Sequence, residues 1–385
     1  IGPTGRLIKP MGDLDFEDAV KAFAVSVKAA VKYGADLFII ETMNDSLETK
    51  AAILAVKENS KLPFIVSNAY DERGKLMTGA SPEAMIALSE SMGAMAIGMN
   101  CSFGPEMMMP VAEKLTKSAS IPVIVMPNAG LPEVVNGKSI YNVSPSDFTI
   151  YMREMAKMGV GIMGGCCGTE PEYINELVDG VKDIPYSYPT KKEHTFVSSF
   201  ACAVELGNGH TLIGERINPT GKKAIKEAIV NEDYSYIVRE AIRQEERGVH
   251  MLDVNAGVPG IDEAKALKEL VFRLQGTTDL PLQIDTADPK ALEGAMRIYN
   301  GKPLVNSVNG KKESMDIVFP LIKKYGAAVV GLTLDSSGIP QTAEGRVEIA
   351  KRILDTARSY GVADEDLWID CLTLTVSAQQ EQAVE

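Results

Sequence analysis

One pattern recurs along the whole chain. A short, almost entirely apolar stretch follows a longer stretch in which apolar residues repeat with helical spacing. The first clear example is an amphipathic segment over residues 13–33, which is followed by the apolar run 36–40. Strands that are apolar on both faces are typical of parallel sheets covered by helices. The recurrence therefore predicts an α/β fold built from parallel strands.

The N-terminal half contains five such apolar runs before residue 182. The predicted strands are 36–40, 63–67, 94–98, 122–126 and the run 159–163. The helices predicted around them are 13–33, 46–59, 82–92, 105–118, 146–158 and 170–181.

A second series begins near residue 211. Its predicted strands are 211–218, 250–257, 281–285, 303–307, 328–335 and 367–370. Polar or glycine-rich residues follow the strands of both series, and in a closed (β/α)8 barrel these strand ends form the active-site face. An open doubly wound sheet is the alternative. No Gly-x-Gly-x-x-Gly motif opens a helix, so the sequence does not predict a dinucleotide site.

The length of the chain bounds the number of barrels. A complete (β/α)8 barrel takes about 250 residues, and the chain has 385. We therefore expect two (β/α)8 TIM-type barrels, each incomplete in this sequence, which would lack roughly three strands at the N-terminus and two at the C-terminus. The predicted division is a first domain over 1–182, a linker over 183–206 and a second domain over 207–385.

Charge and cysteine content narrow the classes of partner. The chain has 39 Lys and Arg against 52 Asp and Glu, a formal net charge of −13. This balance argues against nucleic acid or an anionic membrane as a partner. No apolar run approaches the roughly 18 residues of a membrane span, and no signal-peptide pattern is present. Five cysteines do not indicate a disulfide framework in a chain of this length, so we expect a cytoplasmic protein.

Two adjacent cysteines end the last strand of the first series. Cys166 and Cys167 lie in the run Gly164–Gly168. Neighbouring residues of a regular strand point to opposite faces, but the glycines allow backbone angles at which both sulfurs could converge. Cys101, which also follows a short apolar run, is the third candidate. Three thiolates leave one open position on tetrahedral zinc, as in a catalytic site. Packing in the core and a vicinal disulfide are the alternatives.

Carboxylates and carboxamides occur at every strand end of the second series. They are Glu215, Asn218, Asp253, Asn255, Asp285, Asn306, Asp335 and Asp370. A ring of hydrogen-bond acceptors suits a heterocycle rich in N–H donors, such as the amino-pyrimidinone edge of a pterin. Two alternatives remain at this point. The acidic residues could cap the helices that follow, or the ring could bind magnesium.

These motifs resemble the N-terminal homocysteine- and folate-binding modules of the cobalamin-dependent methionine synthase family. The first module shares Asn100-Cys101 and the run Gly164–Gly168 with that family. The second shares Gly214–Asn218, Asp253–Gly257, Ile284–Thr286 and Asn306–Gly310. The resemblance extends over nearly the whole chain, and the order of the two signatures is specific because either barrel alone belongs to several enzymes.

The resemblance implies roles for individual residues. The zinc ligands would be Cys101, Cys166 and Cys167, and Glu41 is a candidate for binding the homocysteine amino group. Asp285 and Asn306 would assist catalysis at the pterin. The pterin-binding positions would be Glu215, Asp253, Asn255, Asp285, Asn306, Asp335 and Asp370.

The implied activity is methyl transfer from 5-methyltetrahydrofolate, through a corrinoid, to zinc-activated homocysteine, which gives methionine and tetrahydrofolate. The implied cofactors are Zn²⁺ and methylcobalamin. A separate cobalamin-binding module would supply the latter, because none of His194, His210 and His250 has the aspartate two residues earlier that marks that module. The alternatives are another pterin-dependent or corrinoid methyltransferase or synthase, and a truncated substrate-binding fragment without turnover.

Overall fold

The computed structural model describes residues 1–135 and 137–373. The chain forms two compact units. Residues 1–192 and 200–202 make up the first unit, and residues 193–199 together with the chain from residue 203 make up the second.

The first unit is built on a five-stranded parallel sheet with the strand order β1-β2-β3-β4-β7. A separate antiparallel hairpin, β5–β6, lies between β4 and the next helix in the sequence. The strands of this unit are β1 (Phe38–Met43), β2 (Phe64–Asn68), β3 (Ala96–Asn100), β4 (Val123–Met126), β5 (Glu133–Val135), β6 (Lys138–Ile140) and β7 (Val160–Met163).

Six helices surround this sheet in sequence order, and consecutive helices pack against each other. They are α1 (Phe16–Lys32), α2 (Ser46–Asn59), α3 (Pro82–Ser91), α4 (Pro105–Ser118), α5 (Pro145–Met158) and α6 (Pro171–Val181). Local sequence signals set several of their starts. At α3 and α5, for example, a serine N-cap precedes proline in the first turn, and the serine oxygen accepts a backbone N–H of that turn.

The second unit is built on a six-stranded parallel sheet in which every strand pairs with the next one in sequence. An antiparallel hairpin, β8–β9, precedes this sheet. The strands are β8 (Thr195–Ser198), β9 (Ala203–Leu206), β10 (Ile213–Ile217), β11 (Met251–Asn255), β12 (Leu282–Asp285), β13 (Leu304–Asn309), β14 (Ala328–Leu332) and β15 (Leu367–Asp370). The helices are α7 (Lys223–Val230), α8 (Tyr234–Glu245), α9 (Glu263–Leu274), α10 (Pro289–Ile298), α11 (Lys312–Tyr325) and α12 (Ala343–Ser359).

The eleven strands of the two parallel sheets coincide with the predicted apolar runs, and helix and strand ends agree with the predictions to within about three residues. The α/β fold with parallel sheets is therefore confirmed. Across residues 1–135 and 137–373, neither sheet closes into a complete barrel. In the same part of the chain, no helix has the length and apolarity that a membrane crossing requires.

The sequence did not predict the two hairpins, because strands of three or four residues are too short to show a periodic pattern. The hairpin β8–β9 falls within residues 183–206, where we predicted a linker. Its Val197 is fully buried against Leu304 and Met251. The indole N–H of Trp368 donates to Thr195 Oγ1 at 3.0 Å. These contacts make the hairpin part of the core of the second unit.

The position of Val197 leads to a prediction about stability. Val197→Ala removes two buried methyl groups, which we expect to lower the free energy of unfolding of the second unit by about 2 kcal/mol. Val347→Ala is the matched control, because Val347 is exposed on α12, and it should change stability by less than about 0.5 kcal/mol. Urea denaturation followed by tryptophan fluorescence measures both changes, since the single tryptophan of the chain, Trp368, lies in this unit. Equal effects of the two variants would contradict the assigned core position.

Candidate functional site

Three cysteine thiols converge in the first unit. The sulfur atoms of Cys101, Cys166 and Cys167 all lie within 4.8 Å of one another, and Cys101 Sγ is 3.9 Å from Cys167 Sγ. All three are free thiols, so Cys166 and Cys167 do not form a vicinal disulfide. Cys167 is exposed and the other two are half-buried. The cluster therefore lies at the surface, at the carboxyl ends of β3 and β7.

The backbone of Cys101 brings its side chain toward the other two cysteines. Cys101 and Ser102 have left-handed φ angles of 63° and 60°, a conformation that is uncommon for residues other than glycine. The Cys101 N–H donates to the Met126 carbonyl at 3.1 Å, which holds this turn against the end of β4. The convergence thus needs a left-handed residue at Cys101, as well as the glycines that the sequence showed around Cys166 and Cys167.

The loop after β4 holds the other two cysteines. The Cys166 N–H donates to the Pro127 carbonyl at 2.7 Å. The Cys167 N–H donates to the Asn128 side-chain oxygen at 3.0 Å, and the Ala129 N–H donates to the Cys167 carbonyl at 2.9 Å. Both residues of the pair are therefore fixed by a neighbouring strand end, which sets the direction of their side chains.

Two of the glycines are required for steric reasons. A Cβ on Gly165 would lie 2.4 Å from Thr169 Oγ1, and a Cβ on Gly168 would lie 2.3 Å from the Tyr141 ring. Gly168 also has a left-handed φ of 78°. The tight double-cysteine turn accordingly has room for no side chain at either position.

The donor set fits a tetrahedral thiophilic metal. Zinc–sulfur bonds of about 2.3 Å in a tetrahedron place the sulfurs about 3.8 Å apart, which agrees with the 3.9 Å between the sulfurs of Cys101 and Cys167. Burial, and then the charge of Cys101, raise the pKa of Cys166 to about 11. This thiol is consequently protonated at neutral pH unless a cation compensates the negative charge. Three converging thiols are thus a site to which Zn²⁺ is suited.

Two residues next to the cysteines were not predicted as functional. The Asn100 side-chain nitrogen lies 3.8 Å from Cys166 Sγ, and this residue was visible in the sequence only as the first half of the Asn100-Cys101 motif. The ring of Tyr141 lies against Gly168. Burial and the nearby Cys167 raise the pKa of the Tyr141 phenol. Tyr141 follows the unpredicted hairpin β5–β6, so the sequence carried no signal for its position.

Glu41, the candidate for binding an amino group, lies in β1 with an exposed side chain. The next residue, Thr42, donates its backbone N–H to the Asn100 side-chain oxygen at 2.9 Å, and Asn100 in turn contacts Cys166. Glu41 is therefore connected to the cysteine cluster through the backbone and one side chain. Its proposed contact with a substrate stays a prediction.

In the second unit, strand register places three candidate residues side by side. Asn255 of β11 pairs with Asp285 of β12, and Asp285 pairs with Asn306 of β13. The Asn255 amide donates to Asp285 Oδ2 at 2.9 Å, and the Asn218 amide donates to the same oxygen at 3.2 Å. The acidic and amide residues of three neighbouring strands thus form one connected cluster.

Asp253 extends this cluster into the interior of the unit. It is 1% exposed and accepts a hydrogen bond of 2.6 Å from the Gln283 amide and a longer one of 3.4 Å from Asn218. Burial raises the pKa of Asp253 to about 6 and also raises that of Asp285. The two carboxylates therefore carry charge that their surroundings only partly stabilise, which favours a ligand with N–H donors or positive charge.

A cavity of about 260 Å³ opens beside Asp285 and Asn306. Apolar side chains also line it, including those of Leu292, Ile317 and Val318. Its volume lies just below the lower limit of about 300 Å³ that is usual for small-molecule pockets. An apolar wall with a few convergent polar groups is the usual composition of such a pocket.

The side chains of Asp335 and Asp370 make their hydrogen bonds outside this cluster. The Asp335 carboxylate accepts a 2.6 Å hydrogen bond from Arg352 Nη2 and lines a separate cavity together with that arginine. Asp370 is exposed, and its side chain accepts the Leu372 backbone N–H at 2.7 Å.

Glu215 is also exposed and forms an ion pair with Lys222 at 3.4 Å. Its charge contributes to the raised pKa of both Asp253 and Asp285, so it lies near them.

The alternative that these carboxylates are helix caps does not hold for the central pair. The side chains that cap α9 and α10 are those of Asp262 and Asp288. Asp253 and Asp285 instead accept hydrogen bonds from amides of neighbouring strands and loops. They are therefore free of a capping role.

Comparison with known proteins agrees with this division into two sites. Residues 1–181 match the family model of the homocysteine S-methyltransferases, and residues 214–385 match that of the pterin-binding enzymes. The chain thus resembles the homocysteine S-methyltransferases over its first part and the pterin-binding enzymes over its second part.

Two curated relatives contain both units. The methionine synthase of Mycobacterium leprae (strain TN) is 31% identical over 402 residues, and that of Mycobacterium tuberculosis is 31% identical over 397 residues. Each alignment covers 100% of this chain and 33% of the relative. The chain therefore spans about a third of their length, and the resemblance to these modules of methionine synthase is confirmed.

Similarity to solved structures is weaker and covers less than half of this chain in each case. The apo form of the homocysteine methyltransferase MmuM from Escherichia coli is 23% identical with a TM-score of 0.38, covering 47% of this chain and 60% of its own. The 7,8-dihydropteroate synthase of Vibrio fischeri ES114 is 16% identical with a TM-score of 0.34, covering 46% and 66%. These scores are too low to support a further argument.

The raised pKa of Asp253 leads to a prediction about pH. Because its folded-state pKa of about 6 exceeds the unfolded value of about 3.9, folding takes up a proton between these values. This contribution to stability is present below about pH 4 and is lost as the pH rises through about 6. When the pH is lowered from 7 to 4, the free energy of unfolding of the wild-type protein should therefore rise by about 2 kcal/mol relative to that of Asp253→Asn. Urea titrations of both proteins across this pH range measure the change. A difference in the free energy of unfolding that stays constant with pH would contradict the raised pKa of Asp253.

Proposed function

We propose that the chain supplies the homocysteine-activating and methylfolate-binding units of a corrinoid-dependent methyl transfer that yields methionine and tetrahydrofolate. The convergence of Cys101, Cys166 and Cys167 is the observation that carries the proposal. The two family matches, and the full-length alignment with methionine synthases, support it. The free thiols of the cluster require a reducing compartment, which the cytoplasm provides.

We further propose that each sheet is a section of a (β/α)8 barrel. In the second sheet the strand order follows the sequence without reversal, and in the first it does so apart from the inserted hairpin β5–β6. A doubly wound sheet reverses its strand order at the point where its ligand binds, whereas a barrel does not. Sequential packing of the helices also supports this proposal.

In the first unit, the three thiolates would hold Zn²⁺ and leave a fourth position for the homocysteine sulfur. Zinc supplies acidity, because a thiol bound to it loses its proton and becomes a nucleophile at neutral pH. The chain itself orients the ligands, through the loop after β4 and the left-handed turn at Cys101. Glu41 would bind the substrate amino group.

In the second unit, Asp253, Asn255 and Asp285 would bind the pterin edge of 5-methyltetrahydrofolate. A carboxylate can accept two N–H groups of an amino-pyrimidinone at once. The departing nitrogen N5 needs a proton or a hydrogen bond as its bond to the methyl group breaks. Asn306, whose amide can donate, and Asp285, whose pKa is raised, line the cavity where this nitrogen would lie. Glu215 and Asp370 remain predicted contacts of the same ligand.

The two half-reactions would share one methyl carrier. The methyl group would pass from folate to a corrinoid and from the corrinoid to the homocysteine sulfur. A separate module would hold the corrinoid, in agreement with the longer relatives, of which this chain covers 33%. Each unit would therefore present its substrate in turn to the same partner.

The metal assignment leads to a direct test. Purified protein should contain about one zinc per chain, and Cys166→Ala should lose most of it, since two thiolates remain of the three. Cys202→Ala is the matched control, because Cys202 lies outside the cluster, and it should retain the metal. Elemental analysis and a circular dichroism spectrum of each protein give the result. Folded wild-type protein that takes up no zinc would exclude the proposed homocysteine activation.

The folate assignment leads to a second test. Asp285→Asn replaces a carboxylate oxygen with an N–H group, which would face the N–H donors of the pterin. We expect about 10-fold or greater loss of affinity for 5-methyltetrahydrofolate. Asp335→Asn, in the separate cavity beside Arg352, should change affinity by less than about twofold. Isothermal titration calorimetry at neutral pH measures both. If Asp335→Asn had the larger effect, the assigned pocket would be wrong.

A further inference from the structure

Asn100 is the last residue of β3 and precedes the cluster cysteine Cys101. It is 1% exposed, although its side chain is polar. Its side-chain oxygen accepts the Thr42 backbone N–H at 2.9 Å and the Ser67 hydroxyl at 2.7 Å. Its side-chain nitrogen donates to Thr42 Oγ1 at 2.7 Å and lies 3.8 Å from Cys166 Sγ. All of its hydrogen-bonding groups are thus directed to identified partners.

These partners also fix which end of the amide faces the sulfur. A backbone N–H can only donate, so the atom that faces the Thr42 N–H must be the oxygen of Asn100. The NH₂ group then points toward Thr42 Oγ1 and Cys166 Sγ. The reversed amide would place two donors against each other at Thr42. The orientation therefore follows from the hydrogen-bond network and needs no assumption about the sulfur.

The contact distinguishes Cys166 from its neighbour. Cys167 is exposed, whereas Cys166 is half-buried beside the Asn100 amide. A thiolate that is removed from water needs a donor in its place. An N–H group directed at the sulfur also withdraws electron density from it, because the sulfur accepts the hydrogen bond, and hydrogen bonds to sulfur ligands are one way in which proteins tune metal–thiolate centres. The buried sulfur would thus have a fixed donor, and the exposed one can use water.

We propose that Asn100 is a positioning residue of the thiolate centre, whose side-chain amide donates an N–H to Cys166 Sγ and ties that sulfur to the ends of β1 and β2. The proposal rests on the metal binding proposed above. Through Thr42, the same amide holds the backbone next to Glu41, the predicted substrate contact. The position of the metal ligand and that of the substrate contact would then depend on one side chain.

Cobalt is the probe for this hydrogen bond, because Co²⁺ can replace Zn²⁺ among thiolates and its thiolate-to-metal charge-transfer band responds to electron density on sulfur. Asn100→Ala removes the donor. We expect the band to move to lower energy and the affinity for Co²⁺ to fall by about 10- to 100-fold, as is usual when such outer contacts of a metal site are lost.

Ser67→Ala is the matched control. It removes another hydrogen bond of the same buried amide, on the oxygen side, and leaves the N–H next to Cys166 in place. We expect its charge-transfer band to stay at the wild-type energy. If Asn100 served only to pack the core, the two variants would leave the band equally unmoved.

Asn100→Asp covers the case in which Asn100→Ala fails to fold. It keeps an oxygen for Thr42 and Ser67 but has no N–H for Cys166, so its band should also move to lower energy. If either folded Asn100 variant binds Co²⁺ with the wild-type band and affinity, the proposal is overturned and the metal site stands. If wild-type protein binds neither Zn²⁺ nor Co²⁺, the metal site and the role of Asn100 are both overturned.

Discussion

The register of neighbouring parallel strands is the constraint on which both sites depend. In the first unit, Asn100 pairs with Met126, and the carbonyl of Met126 then holds the turn at Cys101. In the second unit, Asn255, Asp285 and Asn306 are consecutive partners across three strands. A slip of one residue would turn these side chains to the opposite face of the sheet. The backbone hydrogen bonds of the sheets therefore determine which side chains meet.

The two sites have a physical feature in common, although their ligand atoms differ. In each, burial raises the pKa of an acidic group on a parallel strand or in the loop after it, Asp253 in one site and Cys166 in the other. Neither site thus stabilises negative charge well without a bound ligand. A thiophilic cation would relieve this at the cysteines, and N–H donors would relieve it at the carboxylates. Poorly stabilised negative charge leads to two different ligand classes because sulfur and oxygen prefer different partners.

The sequence predicted the parallel sheets and the convergence of the three cysteines, because apolar runs and a glycine-flanked cysteine pair are local signals. It could not predict features that depend on contacts between distant residues. Asp335 comes after the end of β14, as other candidates do at their strands, but its carboxylate forms a hydrogen bond with Arg352 of α12 and not with the Asp253–Asp285 cluster. The left-handed turn at Cys101 and Ser102 contains no glycine, so the sequence does not indicate it. The hairpins β5–β6 and β8–β9 are too short to produce a periodic pattern.

The hairpin β5–β6 lies outside the parallel sheet whose strand pairing positions the three sulfurs. The sheet and its loops fix where the sulfurs lie, whereas Tyr141, which follows the hairpin, lies over the backbone at Gly168 next to them. The hairpin is an insertion between β4 and β7, strands that pair directly without it. Its length and side chains can therefore change without altering the strand pairing that positions the thiols. The side chains on the hairpin side of the sulfur centre can thus vary independently of the geometry of that centre.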